Sequence, residues 1–219
     1  MLVAVVPAYN EEKRIGSVIR DLFEHVDKVL VVDDASTDNT FQEARKAGAI
    51  VLKHVLNRGQ GAALQTGHEY ANIIGADYVI HFDGDGQFST KDISGAMQHM
   101  QEAEVDVLLG SRFLQKKSNI PWFKAKILLP LGRIINNLFS GLKLSDAHNG
   151  FRILNRKAFN KIKINQDRMA HATEIPAQIK KYNLKYVEFP IEVKYYEYGQ
   201  NMAGGFKILR DLLLGKFLR

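Results

Sequence analysis

Residues 78–87 read YVIHFDGDGQ, and this stretch joins a short apolar run to two closely spaced carboxylates. The run at 78–82 has the length and composition of a strand that is buried on both faces. Asp83, Gly84 and Asp85 follow directly where the run ends. Asp and Gly also dominate ordinary turns, so an isolated D-G-D is weak support for a functional site. The interpretation of this motif therefore depends on the chain around it.

The chain on either side repeats the same alternation of short apolar runs and amphipathic segments. Further apolar runs occupy residues 2–6, 28–32, 49–52 and 105–109. Segments with helical spacing lie between the runs, at residues 12–23, 36–47, 60–74 and 91–102. This alternation predicts an α/β fold with a mostly parallel sheet that is covered by helices on both faces. In such sheets, ligands bind beyond the carboxyl ends of the strands.

Polar residues do follow the runs, and a second acidic pair is among them. Asp33 and Asp34 lie beyond the run at 28–32, as Asp83 and Asp85 lie beyond the run at 78–82. Two acidic pairs at one edge of a sheet favour a ligand site over a simple turn. Mg²⁺ usually takes one or two carboxylates together with substrate phosphates. The sequence therefore predicts a site for a metal ion and a diphosphate at Asp83 and Asp85.

The remaining loops offer contacts for a nucleotide. Tyr9 has a flat face for a nucleobase, and Glu11 is an acceptor for a hydroxyl. Asp34 can accept from a base N–H or a ribose hydroxyl. Arg58 supplies a cation for a phosphate, and the glycines beside it allow close approach of a backbone. Asn10 has the alternative role of a helix cap.

Composition narrows the class of protein. The chain has 219 residues, 46% of them apolar, which is enough for a folded core and excludes a disordered tail. It contains no Cys, which excludes a disulfide scaffold, a thiolate zinc site and a cysteine nucleophile. Its apolar runs are far shorter than the roughly 18–20 residues of a membrane span. The N-terminus reads as a buried strand rather than as a signal peptide.

The net charge of +6 is unevenly distributed. Residues 1–111 carry 9 Lys/Arg and 17 Asp/Glu, whereas residues 112–219 carry 21 and 7. The acidic half suits a bound cation, and the basic half suits an anionic partner. The basic half is predicted to contain helices at 123–142, 171–182 and 203–218, and strands at 150–154, 185–191 and 192–196. The first and last of these helices fit either core packing with a solvated basic face or an interfacial position near anionic lipid.

Six motifs follow one another along the chain: VVPAYNEE (5–12), VVDDASTDNT (31–40), NRGQGAAL (57–64), FDGDGQ (82–87), GSRF (110–113) and DAHNGFR (146–152). This ordered set resembles the family 2 glycosyltransferases of the GT-A fold. Its pattern is most similar to the branch of dolichol-phosphate mannose synthases and polyprenyl-phosphate sugar transferases. The resemblance implies one catalytic domain over 1–219. In it, residues 1–111 would bind the nucleotide sugar, and 112–219, with a smaller sheet and a C-terminal amphipathic helix, the acceptor.

The resemblance also implies a role for individual residues. Contacts with the nucleotide sugar are implied for Pro7, Tyr9, Asn10, Glu11, Val32, Asp34, Arg58, Asp83, Gly84 and Asp85. A site for Mg²⁺ or Mn²⁺ is implied at Asp83, Asp85 and Gln87. Catalytic roles on the acceptor side are implied for Arg112, Asp146, Arg152 and Glu174.

The implied reaction moves a sugar from a UDP- or GDP-linked donor to a polyprenyl phosphate or a saccharide, with inversion at the anomeric carbon. The metal ion, Arg58 and Arg112 would stabilise the leaving diphosphate. A saccharide hydroxyl needs a carboxylate base, for which Asp146 is the first candidate and Glu174 the second. A lipid phosphate is already ionised near neutral pH, and Asp146 would then orient Arg152 or the acceptor. The sequence leaves both acceptors open.

The chain departs from the family pattern at three places. QFST (87–90) stands where Q-H-x-P is frequent, and Gln60 stands where a Lys is common. The tail reads YGQNMAGG (198–205) where an R-x-x-G-x-S-K pattern is frequent. These differences bear on the acceptor and on the donor sugar.

Two other classes of protein share part of this pattern. A nucleotidyltransferase that forms sugar nucleotides has the same fold logic and metal, but it opens with a Gly-rich, Arg-containing loop unlike PAYNEE (7–12). The hypothesis of a non-catalytic adaptor that binds membrane or nucleic acid accounts for the basic half of the chain and leaves the acidic half unexplained. We therefore expect a cytoplasmic enzyme without a nucleic-acid partner. Peripheral contact with the anionic inner face of the membrane is an open alternative.

Overall fold

The computed structural model of the chain describes residues 1–114, 141–146 and 149–193. Strands and helices alternate through these residues. In chain order they are β1 (Leu2–Ala8), α1 (Ile15–Phe23), β2 (Lys28–Asp33), α2 (Thr40–Lys46), β3 (Ile50–Lys53), α3 (Gln60–Ile73), β4 (Tyr78–His81), α4 (Asp92–Glu102), β5 (Val107–Ser111), β6 (Arg152–Asn155), α5 (Arg156–Lys161), α6 (His171–Lys181) and β7 (Tyr186–Pro190).

The strands form one sheet in the order β3-β2-β1-β4-β6-β5-β7. All neighbouring pairs are parallel except those of β6, which runs antiparallel to both β4 and β5. This confirms the predicted mostly parallel sheet and shows that the two halves of the sequence share it. Besides this sheet, the described residues show an isolated antiparallel bridge between Phe88 and Val193, and the smaller acceptor-side sheet stays a prediction.

The unbroken apolar runs are explained by two hydrophobic clusters, one on each face of the sheet. Ala4 and Val6 of β1 enter one cluster, and Val3 and Val5 enter the other. Successive side chains of a strand point to opposite faces, so a strand that is covered on both sides must be apolar at every position. Helix α1 packs on the first face and α3 on the second.

Helices α1 and α2 begin later than predicted, at Ile15 and Thr40 instead of residues 12 and 36. The backbone amide of Glu11 donates to Thr40 Oγ1 over 2.7 Å, and that of Glu12 donates to Asp38 Oδ2 over 3.2 Å. The two loops therefore bond to each other where each could have started a helix. Both loops lie at the carboxyl edge of the sheet, side by side after β1 and β2.

The structure describes some of the elements that the sequence predicts for residues 112–219, and others lie outside the described residues. The strands at 150–154 and 185–191 and the helix at 171–182 are confirmed as β6, β7 and α6, with small shifts of their ends. The predicted helices at 123–142 and 203–218 and the strand at 192–196 lie wholly or largely outside the described residues. No helix within the described ranges combines the length and hydropathy needed to cross a bilayer.

Candidate active site

Asp83 and Asp85 lie just beyond β4, at the carboxyl edge of the sheet, as predicted. Burial, together with the nearby charge of Asp85, raises the pKa of Asp83 to about 7. Burial also raises the pKa of Asp85. Like charges in a buried place oppose each other's ionisation. The fold therefore holds two acidic groups that are costly to ionise together without a counter-charge.

This donor set fits a hard divalent cation such as Mg²⁺ or Mn²⁺, which would supply the missing counter-charge. Gln87 lies next to the pair, and its backbone amide donates to Asp85 Oδ1 over 3.0 Å. Within the part of the chain that the structure describes, no cluster of three or more acidic, His or Cys side chains could hold a metal ion. Two carboxylates would therefore be completed by Gln87 and by substrate phosphate, as is usual for Mg²⁺.

Arg152 is a cation that acts on Asp83 of the acidic pair from β6, where it pairs in register with His81 of β4. The side chain is buried, and burial lowers its pKa to about 10 even though Asp83 and Asp146 act in the opposite direction. Its Nη1 makes no hydrogen bond to any described residue. The site thus contains a buried guanidinium between two carboxylates, with one donor unsatisfied.

Gln60 connects the acidic pair to the N-terminus of α3. Its Nε2 donates to Asp83 Oδ1 over 2.6 Å. The sequence marks Gln60 only as a departure from the Lys that is common in the family. A neutral amide satisfies one oxygen of the carboxylate but adds no charge, and it lowers the pKa of Asp83 by less than burial raises it.

Asp34 anchors the loop between β3 and α3. Its Oδ1 accepts from His54 Nδ1 at 2.7 Å and from the amide of Arg58 at 3.0 Å, and its Oδ2 accepts from the amide of Gly59. The sequence assigns this carboxylate to a nucleobase. In the structure a base would share it with three donors of the protein, so its contact with a base stays a prediction.

The glycines of the same loop serve a different purpose from the one predicted. Residues 165–168, called the strap below, press on Gly59 and Gly61. A Cβ on Gly61 would lie 1.9 Å from the carbonyl oxygen of Gln166, and one on Gly59 would lie 2.8 Å from that of Asp167. Gly59 also has φ +100, in the left-handed region that favours glycine. The close approach that these glycines permit is that of the protein's own strap.

Glu174 of α6 holds the strap in place. Its carboxylate accepts from the amide of Asn165 at 3.0 Å and from that of Gln166 at 2.9 Å. The side-chain Nδ2 of Asn165 donates to it as well, over 3.1 Å. In this structure the Glu174 carboxylate is therefore engaged by the strap, and its role as a base stays a prediction.

Arg58 is engaged by the strap rather than free for a phosphate. Its guanidinium donates from Nη2 to Asp167 Oδ1 at 3.0 Å and from Nε to Asp167 Oδ2 at 3.3 Å. The Arg58 side chain is 58% exposed and that of Asp167 is 43% exposed. Exposed ion pairs of this kind contribute little stability, so a nucleotide phosphate could replace Asp167 at small cost.

Residues 9–11 form the first loop of the nucleotide side. Tyr9 is exposed, as a base-stacking side chain must be. Asn10 instead accepts from the amide of Thr37 at 3.0 Å through Oδ1, which ties the loop to the one after β2. Glu11 is half-buried, and burial raises its pKa despite the nearby Arg14. Among the described residues, the Tyr9 side chain has no hydrogen bond of this kind, unlike those of Asn10 and Glu11.

Pro7, Val32 and Gly84 meet behind this loop. Pro7 of β1 is the register partner of Val32 of β2. The Val32 side chain is completely buried, which excludes its direct contact with a ligand in this conformation. A Cβ on Gly84 would lie 3.4 Å from the carbonyl oxygen of Pro7. The absence of a side chain at Gly84 thus lets the acidic pair approach the end of β1.

Asp146 is paired with Arg112. Arg112 Nε donates to Asp146 Oδ2 at 2.6 Å and Nη2 donates to Oδ1 at 2.7 Å, a bidentate arrangement. The amide of Arg112 and Nδ2 of Asn149 also donate to Oδ2, each over 3.1 Å. Both oxygens of the Asp146 carboxylate are therefore engaged by donors of the protein, and its role as a general base stays a prediction.

Several partners of the site were not predicted: Asn149, Asp167, His54 and Glu188. Glu188 of β7 accepts from the amide of Ser145 at 2.9 Å and so fixes the residue before Asp146. Asp167 is 109 residues from its partner Arg58. Asn149 lies in the motif at 146–152, three residues from Asp146, whereas Asp167, His54 and Glu188 act on segments that meet them only in the folded chain.

An α/β sheet with nucleotide-side loops and a half-buried acidic pair at its carboxyl edge is the arrangement of a GT-A glycosyltransferase. Residues 3–163 match the family model described as glycosyl transferase family 2. The chain belongs to this family, and it is a hexosyltransferase. Membership of the family decides against the nucleotidyltransferase and the non-catalytic adaptor.

Similar proteins span almost the whole chain. An uncharacterised protein of Methanocaldococcus jannaschii is 37% identical over 98% of this chain and 92% of its own length. UDP-N-acetylglucosamine–dolichyl-phosphate N-acetylglucosaminyltransferase of Methanococcus voltae is 32% identical over 99% of this chain and 96% of its own length. Glucosyl-3-phosphoglycerate synthase of Mycobacterium tuberculosis, solved with Mn²⁺, UDP and glucosyl-3-phosphoglycerate, superposes with a TM-score of 0.74. The match covers 98% of this chain and 79% of the mycobacterial chain. At 18% identity it shows a likeness of fold alone.

Proposed function

We propose that this chain transfers a hexose from a UDP- or GDP-linked donor to the phosphate of a polyprenyl phosphate, with inversion at the anomeric carbon. The observation that carries the proposal is the state of the two candidate bases. Asp146 accepts from Arg112 and Asn149, and Glu174 accepts from the strap. Both carboxylates are thus already engaged by donors of the protein, which favours an acceptor that needs no base. The site therefore suits an acceptor that is already ionised.

A phosphate monoester meets this requirement, because its second pKa is about 6. One phosphate oxygen attacks the anomeric carbon while the bond from that carbon to the nucleotide breaks. The nucleoside diphosphate leaves with the electron pair, and no proton has to move. Asp83 and Asp85 would hold Mg²⁺ or Mn²⁺, which supplies positive charge to the leaving diphosphate. Arg112, which Asp146 orients, would be the cation that meets the acceptor phosphate.

The relatives support the same class of donor and acceptor. The Methanococcus voltae protein is named for dolichyl phosphate and a UDP-linked sugar, and the match covers nearly all of both chains. The mycobacterial structure contains Mn²⁺ and UDP, which supports a divalent ion beside a nucleoside diphosphate. Because the acceptor tail resides in lipid, the proposal includes peripheral contact with the cytoplasmic face of a membrane.

Product analysis with paired acceptors tests the proposal. The chain is incubated with UDP- or GDP-linked sugars, Mn²⁺ and either a polyprenyl phosphate or the matching polyprenol. We expect a sugar-phosphate lipid and a free nucleoside diphosphate from the phosphate acceptor alone. A thermal-shift series with UDP, GDP, CDP and TDP, with and without Mn²⁺, identifies the donor nucleotide.

The variant Asp146→Asn separates the two acceptor classes. Transfer to the phosphate should slow by less than the roughly 10²–10⁴-fold of a lost general base. Its pH profile should match that of the wild type, since no proton transfer is lost. Efficient transfer to the polyprenol or to a saccharide that collapses in Asp146→Asn would overturn the proposal.

A further inference from the structure

Exposed apolar side chains are concentrated at one edge of the sheet. The large hydrophobic residues that the described part of the chain exposes are Tyr9, Phe23, Val55, Leu56, Ile73, Phe113, Leu114 and Met169. Phe23 and Ile73 end helices α1 and α3, and so lie at the amino edge of the strands. Apart from Tyr9 of the nucleotide side, the others lie at the carboxyl edge or beside the strap. We call these the carboxyl-edge apolar rim: Val55, Leu56, Phe113, Leu114 and Met169.

Val55 and Leu56 are held outward by anchors on both sides. His54 before them and the amide of Arg58 after them bind the same carboxylate oxygen of Asp34. Val55 is 94% exposed and Leu56 is 73% exposed. Two adjacent apolar side chains presented to water by a tethered loop do not stabilise the isolated fold, and such groups commonly mark an interaction surface.

The rim flanks the site from both sides. Val55 and Leu56 follow β3, and Phe113 and Leu114 follow β5. Strands β3 and β5 are five positions apart in the sheet, which corresponds to about 24 Å at a strand spacing of about 4.8 Å. Asp83 and Asp85 follow β4, between them. The rim and the site therefore share one face of the molecule.

We infer that the carboxyl-edge apolar rim docks on an anionic bilayer, with Val55 and Leu56 inserted among the head groups. The inference rests on the proposed function: the tail of a polyprenyl phosphate stays in the bilayer, so the site must face that surface to reach the phosphate. Lys53 and Arg58, on either side of the tip, are both partly exposed. Apolar tips combined with basic residues are the chemistry of an interfacial contact.

Vesicle sedimentation with the full chain measures this contact. The vesicles contain equal parts of phosphatidylcholine and phosphatidylglycerol. The double variant Val55→Ser/Leu56→Ser should lower the partition coefficient about tenfold or more, because each side chain loses apolar burial. Ile73→Ser is the matched control, since Ile73 is 78% exposed at the opposite edge and its loss should leave binding unchanged. Thermal melting should show both variants folded, because all three side chains are exposed.

Two further readouts separate this inference from the proposed function. Transfer to a long-chain polyprenyl phosphate in vesicles should fall in the double variant, whereas transfer to a short, water-soluble prenyl phosphate should not. Vesicle binding through the rim without transfer to either phosphate leaves the docking intact and defeats the proposed function. Wild-type vesicle binding by the double variant, equal loss in Ile73→Ser, or no vesicle binding by the wild type overturns the docking. A wild-type dimer that the double variant converts to a monomer assigns the rim to self-association and overturns it as well.

Discussion

The loops after β1, β2 and β3 differ from the loop after β4 in how their polar groups are satisfied. In the first region, Asp34 accepts three donors of one loop, and Asn10 joins two loops through Thr37. In the second region, Asp83 and Asp85 have raised pKa values. Arg152 beside them retains an unsatisfied Nη1 among the described residues.

We interpret this difference as a division of tasks, in which the first region positions a ligand and the second binds its charge. In the first region, Asp34 and Asn10 bond to groups of the protein itself without a ligand. The second places charged groups where burial opposes their ionisation, a cost that a bound cation and diphosphate would offset. We therefore propose that side chains of the first region position a nucleotide and that those of the second set the charge that it meets.

Asp85→Ala removes charge from the second region and should have the largest effect. We expect the affinity for a nucleoside diphosphate with Mn²⁺ to fall about 100-fold or more, because the diphosphate loses its compensating ion. Calorimetric titration with and without a chelator measures it, and Asp21→Ala, an exposed carboxylate on α1, is the control. Equal affinity in the variant, or in chelator-treated wild type, would contradict the metal site.

Asp34→Ala breaks the frame of the first region. The loop loses the acceptor for His54 and for two backbone amides, and unmade buried hydrogen bonds cost about 1–3 kcal/mol. Nucleotide binding should weaken roughly tenfold, while its dependence on the divalent ion stays intact. The same titration measures both quantities. An unchanged dissociation constant would show that Asp34 has no part in shaping the nucleotide side.

Asp83→Asn tests the charge imbalance in the absence of metal. The folded chain raises the pKa of Asp83 to about 7, so ionisation of this group reduces stability as pH rises from its ordinary value of 3.8 through 7. The variant should melt a few degrees above the wild type at pH 8 with chelator and should match it at pH 4. Asn keeps the oxygen that accepts from Gln60. A melting difference that is the same at both pH values would refute the raised pKa.

Asp167→Asn changes the first region and should have the smallest effect of these variants, a small gain in nucleotide affinity. It frees Arg58 from its partner, so a nucleotide phosphate no longer has to displace a carboxylate. Exposed pairs are worth about 0.2–1 kcal/mol, which corresponds to an affinity gain of no more than about fivefold. Competition binding of UDP and GDP at low salt resolves such a change. Weaker binding in the variant would mean that Asp167 itself contacts the ligand.

The sequence identifies the features of the site that depend on neighbouring residues. The run at 78–82 and the acidic pair after it are local, and both lie where the sheet rule places them. The tasks of Asp34 and Glu174 are not local, because each depends on which backbone amides the fold brings to its carboxylate. For the same reason, the glycines at 59 and 61 indicate a close approach but not the strap that makes it.

Strand pairing shows the same limit. The run around residues 150–154 indicates a strand, and the strand is there. Its antiparallel place between β4 and β5 cannot be read from apolar residues that suit either face and either direction. That place nevertheless brings Arg152 to the acidic pair, so the electrostatics of the site depend on a pairing that no motif encodes.

The position of β6 also sets an order of assembly during synthesis. A chain that leaves the ribosome from its N-terminus presents β4 and β5 before β6 exists, and β5 has both of its sheet partners, β6 and β7, still to come. Until residues 152–155 emerge, the nascent sheet has unpaired edges at both β4 and β5, and Asp83 lacks its buried cation. The centre of the sheet is therefore completed late. A fragment of residues 1–111 contains the acidic half of the chain but lacks β6 and β7 of the same sheet. We therefore do not expect this fragment to fold as a separate nucleotide-binding domain.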